Sequence, residues 1–181
     1  MDSTALYDLN NKTLHVRYTN TLRFLKQSLP SGKTILDIGI ENPFSLIMKQ
    51  EGYLVSNTSG EDLDVYPERV AHPKTDAVTA FEIFEHLVNP LGVLQHLQAD
   101  HLFASVPLSL WFARAFRHKT NAWDRHFHEF EDWQFDWLLE KAGWKIIRSE
   151  KWTSPAGTIG IRPLLRRFIP RYYIVEAKRI G

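Results

Sequence analysis

Cysteine is missing from this 181-residue chain, so no disulfide framework, thiolate metal ligand or cysteine nucleophile enters its chemistry. Charge of one sign is scarce as well. The 22 Lys and Arg residues stand against 21 Asp and Glu, a formal +1, which leaves no global field to gather nucleic acid or an anionic membrane. Any basic site has to be local. No apolar run approaches the roughly 18 residues of a membrane span, and the start, Met1 to Leu6, lacks the basic and apolar segments of a secretory signal. The expectation is a soluble, cytoplasmic protein. What is present, 44% hydrophobic and 24% charged residues, suits one globular domain over residues 1–181 with a full core, and argues against two domains, a collagen-like rod or a disordered chain.

Leu14, Tyr18, Leu22, Leu25 and Leu29 recur at spacings of four and three, which predicts a packing helix ended by Pro30-Ser31-Gly32. Lys33 to Gly39 then reads as a short buried strand that leaves its sheet at Asp37-Ile38-Gly39. Asn42-Pro43 supplies an N-cap and a first-turn proline for a helix closed by Gly52. The alternation continues with strands at Tyr53–Ser56, Asp76–Phe81 and Leu102–Val106, and with a helix opened by Asn89-Pro90. Asp132 is the expected cap of a helix that buries Phe135, Leu138, Leu139 and Ala142 and stops at Gly143. Two β-rich runs, Trp144–Trp152 and Tyr172–Lys178, finish the chain. Strands alternating with helices imply a mainly parallel sheet with helices on both faces.

In such sheets ligands sit beyond the carboxyl ends of the strands, where a turn and a helix N-terminus allow close backbone approach. Ile35 to Ser45 occupies that place. The element order, the Leu36-Asp37-Ile38-Gly39 turn, the Phe81-Glu82-Ile83-Phe84-Glu85-His86 segment and the final strand pair together resemble the class I S-adenosylmethionine-dependent methyltransferases over roughly residues 14–181. The resemblance implies an α/β, Rossmann-like domain with a mainly parallel seven-stranded sheet and an antiparallel final strand. It also implies S-adenosylmethionine as cofactor, with Asp37, Gly39, Glu41, Ser59 and Glu82 as its expected contacts. The family's glycine-rich turn is degenerate here, because Glu41 and Pro43 replace its second and third glycines. A positive φ at Glu41 would cost about 1 kcal/mol or more; the alternative is that its carboxylate faces the cofactor's cationic end. Ser59 falls where the family places a ribose-binding acid, with Asn57, Glu61 and Asp62 nearby.

Glu82, Glu85 and His86 have the i, i+3, i+4 spacing that puts three polar groups on one face of a helical turn. His126 and His128 follow on alternate positions before the Asp132 helix. Two carboxylates and two imidazoles suit a hard or borderline divalent metal. The pattern looks like that of the small-RNA 2′-O-methyltransferases, matched by Glu82, Glu85, His86 and His128-Glu129-Phe130-Glu131. That likeness implies a Mg or Mn site at Glu82, Glu85, His86 and His128. In the metal-free reading Glu85, His86 and His128 are the catalytic candidates, His86 as orienting group or base. Either His126 or His128 could reach the same cleft from its place before the helix, and His126 could instead pair with Glu129 or Glu131 at the helix entrance, while His15, His72, His96, His101 and His118 read as solvated or locally bonded.

Two further stretches stand out. Leu108 to Arg117 is apolar and aromatic, a lid or a packing helix. Ile161 to Arg171 mixes arginines with large apolar groups, the composition of a phosphate, glycan or membrane contact or of a surface helix with solvated arginines. The sequence thus points to a methyltransferase acting on an oxygen of a small molecule. The rival readings are a noncatalytic binding protein on the same fold and a metal-assisted RNA methyltransferase.

Overall fold

A computed structural model describes residues 12–71, 74–114, 116, 118–121, 124–153 and 160–180. The Met1 to Leu6 segment, His72, Ala115 and Arg117 lie outside them. Helix α1 (Lys12–Lys26) leads into strand β1 (Thr34–Asp37), and helix α2 (Pro43–Gln50) connects it to β2 (Leu54–Asn57). After β3 (Thr75–Phe81) come α3 (Pro90–His96) and β4 (Ala99–Pro107), then α4 (Asp132–Lys141) and β5 (Trp144–Trp152). A short α5 (Ile161–Leu165) precedes β6 (Tyr172–Arg179). No helix among the described residues is long and apolar enough to cross a membrane.

The strands form one sheet in the order β2-β1-β3-β4-β6-β5, parallel from β2 to β4. The last strand, β6, runs antiparallel between β4 and β5, as the family resemblance implied. Among the described residues the sheet has six strands, one fewer than expected. Residues 58–74 separate β2 from β3, and their described part holds only a 3-10 turn at Pro67–Val70. That interval is too short for a strand with two crossovers, since a parallel connection alone takes about a dozen residues. Consequently β2 is the sheet edge, and Leu54 on it is exposed.

Successive residues of each strand face opposite ways, and the core accordingly divides in two. Ile35, Ala77, Phe103 and Ile174 pack under Phe24 and Leu25 of α1 and Ile47 and Met48 of α2. Leu36, Val78, Leu102 and Val175 face the other side, toward Val93 and Leu94 of α3 and Phe135 and Leu139 of α4. Asn42 caps α2 through hydrogen bonds to its Oδ1 from Phe44 and Ser45 N–H, and Asn89 caps α3 by accepting from Gly92 N–H. The α4 cap is Glu131 rather than Asp132. Its N–H donates to Gln134 Oε1 at 3.0 Å, whereas Asp132 pairs with Lys151 of β5.

Glu176 on β6 is buried under the end of α1. Its carboxylate accepts from Arg148 Nε at 3.1 Å and Ser28 Oγ at 2.7 Å, and lies 3.1 Å from His101 Nδ1. Removing it by Glu176→Ala leaves Arg148 without its ion-pair partner beneath α1, and urea unfolding is expected to show a loss of about 3 kcal/mol. A smaller fastener joins the starts of β1 and β3, where Asp76 accepts from Thr34 N–H at 2.8 Å and from Lys33 Nζ at 2.8 Å. These partners hold its carboxyl well below the ordinary range, so the stabilisation is present above the unfolded-state pKa and disappears as pH falls through the folded-state value. Asp76→Ala is expected to cost about 1 kcal/mol at neutral pH. Parallel urea titrations of the two proteins should converge in strong acid.

Candidate active site

The chain runs from β1 outward to β2 and then returns to β3 on the other side, which opens a crevice at the carboxyl ends of β1 and β3. Asp37 ends β1 there. Its buried carboxylate accepts from Thr79 Oγ1 and Ser45 Oγ, both at 2.6 Å, and from Asn57 Nδ2 at 3.1 Å and Asn42 Nδ2 at 3.3 Å. Burial pushes its pKa up and the four donors work against that shift. Gly39 follows at φ +109°, with its N–H given to Thr58 Oγ1 at 2.8 Å. A side chain at that φ would be strained.

Two cavities flank this turn. One, of about 380 Å³, lies over the ends of β1, β3 and β4 and is lined by Arg17, Asp37, Glu82, Glu85, His86 and His126 among others. The second, of about 730 Å³, runs past Gly39 and Thr58 to Glu61, Asp62 and Val88. Ile38, Ile83 and His86 line both.

Glu82, immediately after β3, has φ +57°, the only non-glycine residue with positive φ among the described residues. Such backbone strain costs about 1–2 kcal/mol and is concentrated at functional sites. It swings the Glu82 carboxylate onto Ser105 Oγ at 2.8 Å and within 3.7 Å of Arg17 Nη1. Burial raises its pKa, with Arg17 as the main opposing influence. The next turn, Phe84–His86, is 3-10 rather than α-helical.

Glu85 is 1% exposed, and its Oε2 is buried without a hydrogen-bond partner. Its pKa is raised well above the usual carboxylate range by burial, then by Glu82. Its backbone carbonyl accepts from Phe127 N–H at 2.8 Å and His128 N–H at 3.2 Å. This pins residues 126–128 beside the turn and decides which histidine enters. His126 lines the first cavity, its ring 4.7 Å from that of His86. His128 faces elsewhere, with Nε2 3.3 Å from the Val88 carbonyl and its ring stacked on Phe130. The cluster is therefore Glu85, His86 and His126, whose ligand atoms all lie within 4.8 Å of one another. His128 is not part of it, and Glu82 is engaged with Ser105 and Arg17.

The His86 Nδ1 is 3.1 Å from the Arg125 carbonyl, which only accepts, so Nδ1 carries the hydrogen and Nε2 faces the Glu85 carboxyl at 3.8 Å. Burial and the neighbouring His86 depress the His126 pKa, which favours the neutral imidazole, a proton acceptor. Glu41 is turned away. Its φ is not positive, its carboxylate pairs with Lys49, and it lines neither cavity. Both expectations for it, obstruction and pairing with the cofactor, give way to this surface ion pair. Ser59 is exposed, and its neighbours Thr58, Glu61 and Asp62 line the second cavity in its place.

Of the other histidines, His101 lies against Glu176, His96 against the Gly92 carbonyl, and His118 accepts from Asn121 N–H. Sequence reasoning missed Arg17 and Tyr172 in the first cavity, and it singled out Arg171 only within the Ile161 to Arg171 stretch as a candidate anion contact. Arg17 adjoins Tyr18 of the apolar stripe on α1, and that adjacency was the available signal.

A family model described as a methyltransferase domain matches residues 11–149. No curated protein matches the sequence significantly. Among solved structures the fold is similar to a S-adenosylmethionine-dependent methyltransferase from Archaeoglobus fulgidus, with TM-score 0.65 and 14% identity over 91% of this chain and 94% of that one. It is similar also to 1,6-didemethyltoxoflavin-N1-methyltransferase of Burkholderia thailandensis, solved with bound 1,6-didemethyltoxoflavin and S-adenosylhomocysteine, with TM-score 0.63 and 16% identity over 91% and 78%. Magnesium protoporphyrin IX methyltransferase of Synechocystis, with bound S-adenosylhomocysteine, gives 0.55 and 18% over 92% and 82%. With the family model covering most of the chain and the crevice at the β1–β3 switch, the protein belongs to the class I S-adenosylmethionine-dependent methyltransferases.

Proposed function

We propose that this methyltransferase acts on an oxygen of a small acceptor, with His126 as general base. The observation that carries the reading is the cluster of buried Glu85 with half-buried His86 and His126, which sits where the two cavities share His86. The donor chemistry around the turn fits S-adenosylmethionine. The apolar Ile38, Ile83 and Leu63 of the larger cavity suit an adenine, and the Glu61 and Asp62 carboxylates suit ribose hydroxyls. Across the shared wall, Arg17 and Glu82 offer opposite charges for the carboxylate and ammonium of its amino-acid end. When bound, this cofactor supplies a methyl group on a sulfonium sulfur, which keeps the bonding electron pair as the acceptor oxygen takes the methyl.

The chain's own residues supply alignment and proton transfer. His126, held neutral by its surroundings, takes the acceptor's hydroxyl proton, and Arg171 nearby supports the developing oxyanion. Asp37 holds the turn and touches no reacting atom in this account. Because His128 faces the Val88 carbonyl, the match that supported an RNA acceptor loses its second histidine. A small acceptor also suits the first cavity, of about 380 Å³.

Calorimetry with S-adenosylhomocysteine tests the cofactor reading directly. Saturable binding is expected, and no heat at about 1 mM ligand would remove it. Once an acceptor is found among hydroxylated metabolites, His126→Ala is expected to lower turnover by about 10²–10⁴-fold with S-adenosylhomocysteine affinity unchanged. His128→Ala should stay within about tenfold of wild type, and equal losses in both variants would overturn the assignment of the base.

A second reading adds a divalent cation. The partnerless Glu85 Oε2 beside two imidazoles favours it, and that donor set suits Mn, Fe or Zn better than the oxygen-seeking Mg. If a cation binds, Mn is expected to raise the unfolding temperature by about 3 °C or more. His126→Ala should abolish the shift while His128→Ala keeps it. No shift in wild type would leave His126 working without a metal.

A further inference from the structure

Behind the first cavity lies a smaller recess of about 110 Å³, which shares Pro107, Phe116, His126 and Arg171 with it. Three arginines, Arg114, Arg166 and Arg171, line it with a single acidic residue, Glu129. The Glu129 Oε1 is already taken by Phe116 N–H at 2.6 Å. Among the described residues none of the three arginines makes an ion pair. The Arg166 Nε is buried without a hydrogen-bond partner.

A buried, partnerless donor is costly, and like charges lining one recess repel one another. An oxyanion removes both penalties at once, because a carboxylate or phosphate accepts paired hydrogen bonds from the planar guanidinium fork. The recess has room for such a group and little more. We infer that this arginine recess binds an anionic group of the methyl acceptor, a phosphate or carboxylate, and thereby places a neighbouring hydroxyl at His126. The identification of the bound molecule as the acceptor rests on the methyl-transfer reading; the anion site itself does not.

The polarity of the two chambers supports the assignment. The first cavity mixes Arg17 and Arg171 with Glu82, Glu85 and Asp124, while the recess sets three arginines against Glu129 alone and shares His126 with that cavity. An acceptor is thus read by a charge at one end and a hydroxyl at the other.

The test is isothermal calorimetry of the full chain at constant ionic strength, with inorganic phosphate and acetate as probes and S-adenosylhomocysteine titrated separately. Saturable binding of at least one anion is expected, with a dissociation constant on the order of 1–10 mM. Arg166→Gln and the exposed Arg114→Gln should each weaken it by at least about fivefold while leaving S-adenosylhomocysteine affinity as in wild type. Arg114→Gln keeps the test decisive if Arg166→Gln fails to fold. Preference for phosphate assigns a phosphorylated acceptor, preference for acetate a carboxylated one, and either supports the site. No saturable binding of either anion, or equal affinity in wild type and both variants, would overturn it. Variant-sensitive anion binding without S-adenosylhomocysteine binding supports the recess and removes the cofactor reading alone.

Discussion

Everything around the crevice depends on one buried carboxylate. Asp37 gathers Thr79 from β3, Asn57 from β2, and Asn42 and Ser45 from the start of α2, so three strands and a helix are tied at one point. Taking a carboxylate out of water is costly unless donors replace the solvent, and here four donors do so. The same bonds explain how the turn persists with Glu41 and Pro43 in place of two glycines. Asn42 fixes the helix start, Pro43 is preorganised for the first turn, and Gly39 alone needs positive φ in this turn. Strain avoided at Glu41 appears instead at Glu82, where the backbone is turned to present a carboxylate beside Arg17.

The site concentrates unfavourable features that a purely structural core avoids. Burial raises the proton affinity of Glu82, burial and then Glu82 raise that of Glu85, Glu85 keeps an oxygen without a partner, and His126 is desolvated beside His86. Perturbed groups gathered in a crevice mark chemistry more often than stability. The surrounding fold offsets the cost with two apolar layers and with the Glu176, Arg148 and Ser28 contacts that hold α1 over the sheet. Because α1 carries Arg17 into the cavity, the docking of that helix is also a condition of the site.

The sequence by itself determined the strand and helix series, since caps such as Asn42 and Asn89, stops such as Gly52 and Gly143, and apolar periodicity act locally. It also determined that an acidic residue and a glycine end the first strand and that Glu82, Glu85 and His86 follow the third. The seventh strand was inferred from the family, and the short 58–74 interval between β2 and β3 denies it. Only the tertiary structure decided between His126 and His128, because two histidines on alternate positions are equivalent in sequence until the Glu85 carbonyl binds the Phe127 and His128 amides. Only it turned Glu41 to Lys49 and brought Arg17, Arg114, Arg166 and Arg171 from distant segments to one crevice and its recess. The physical reason is common to these cases. Side-chain direction depends on long-range hydrogen bonds and packing, which spacing along a chain does not encode.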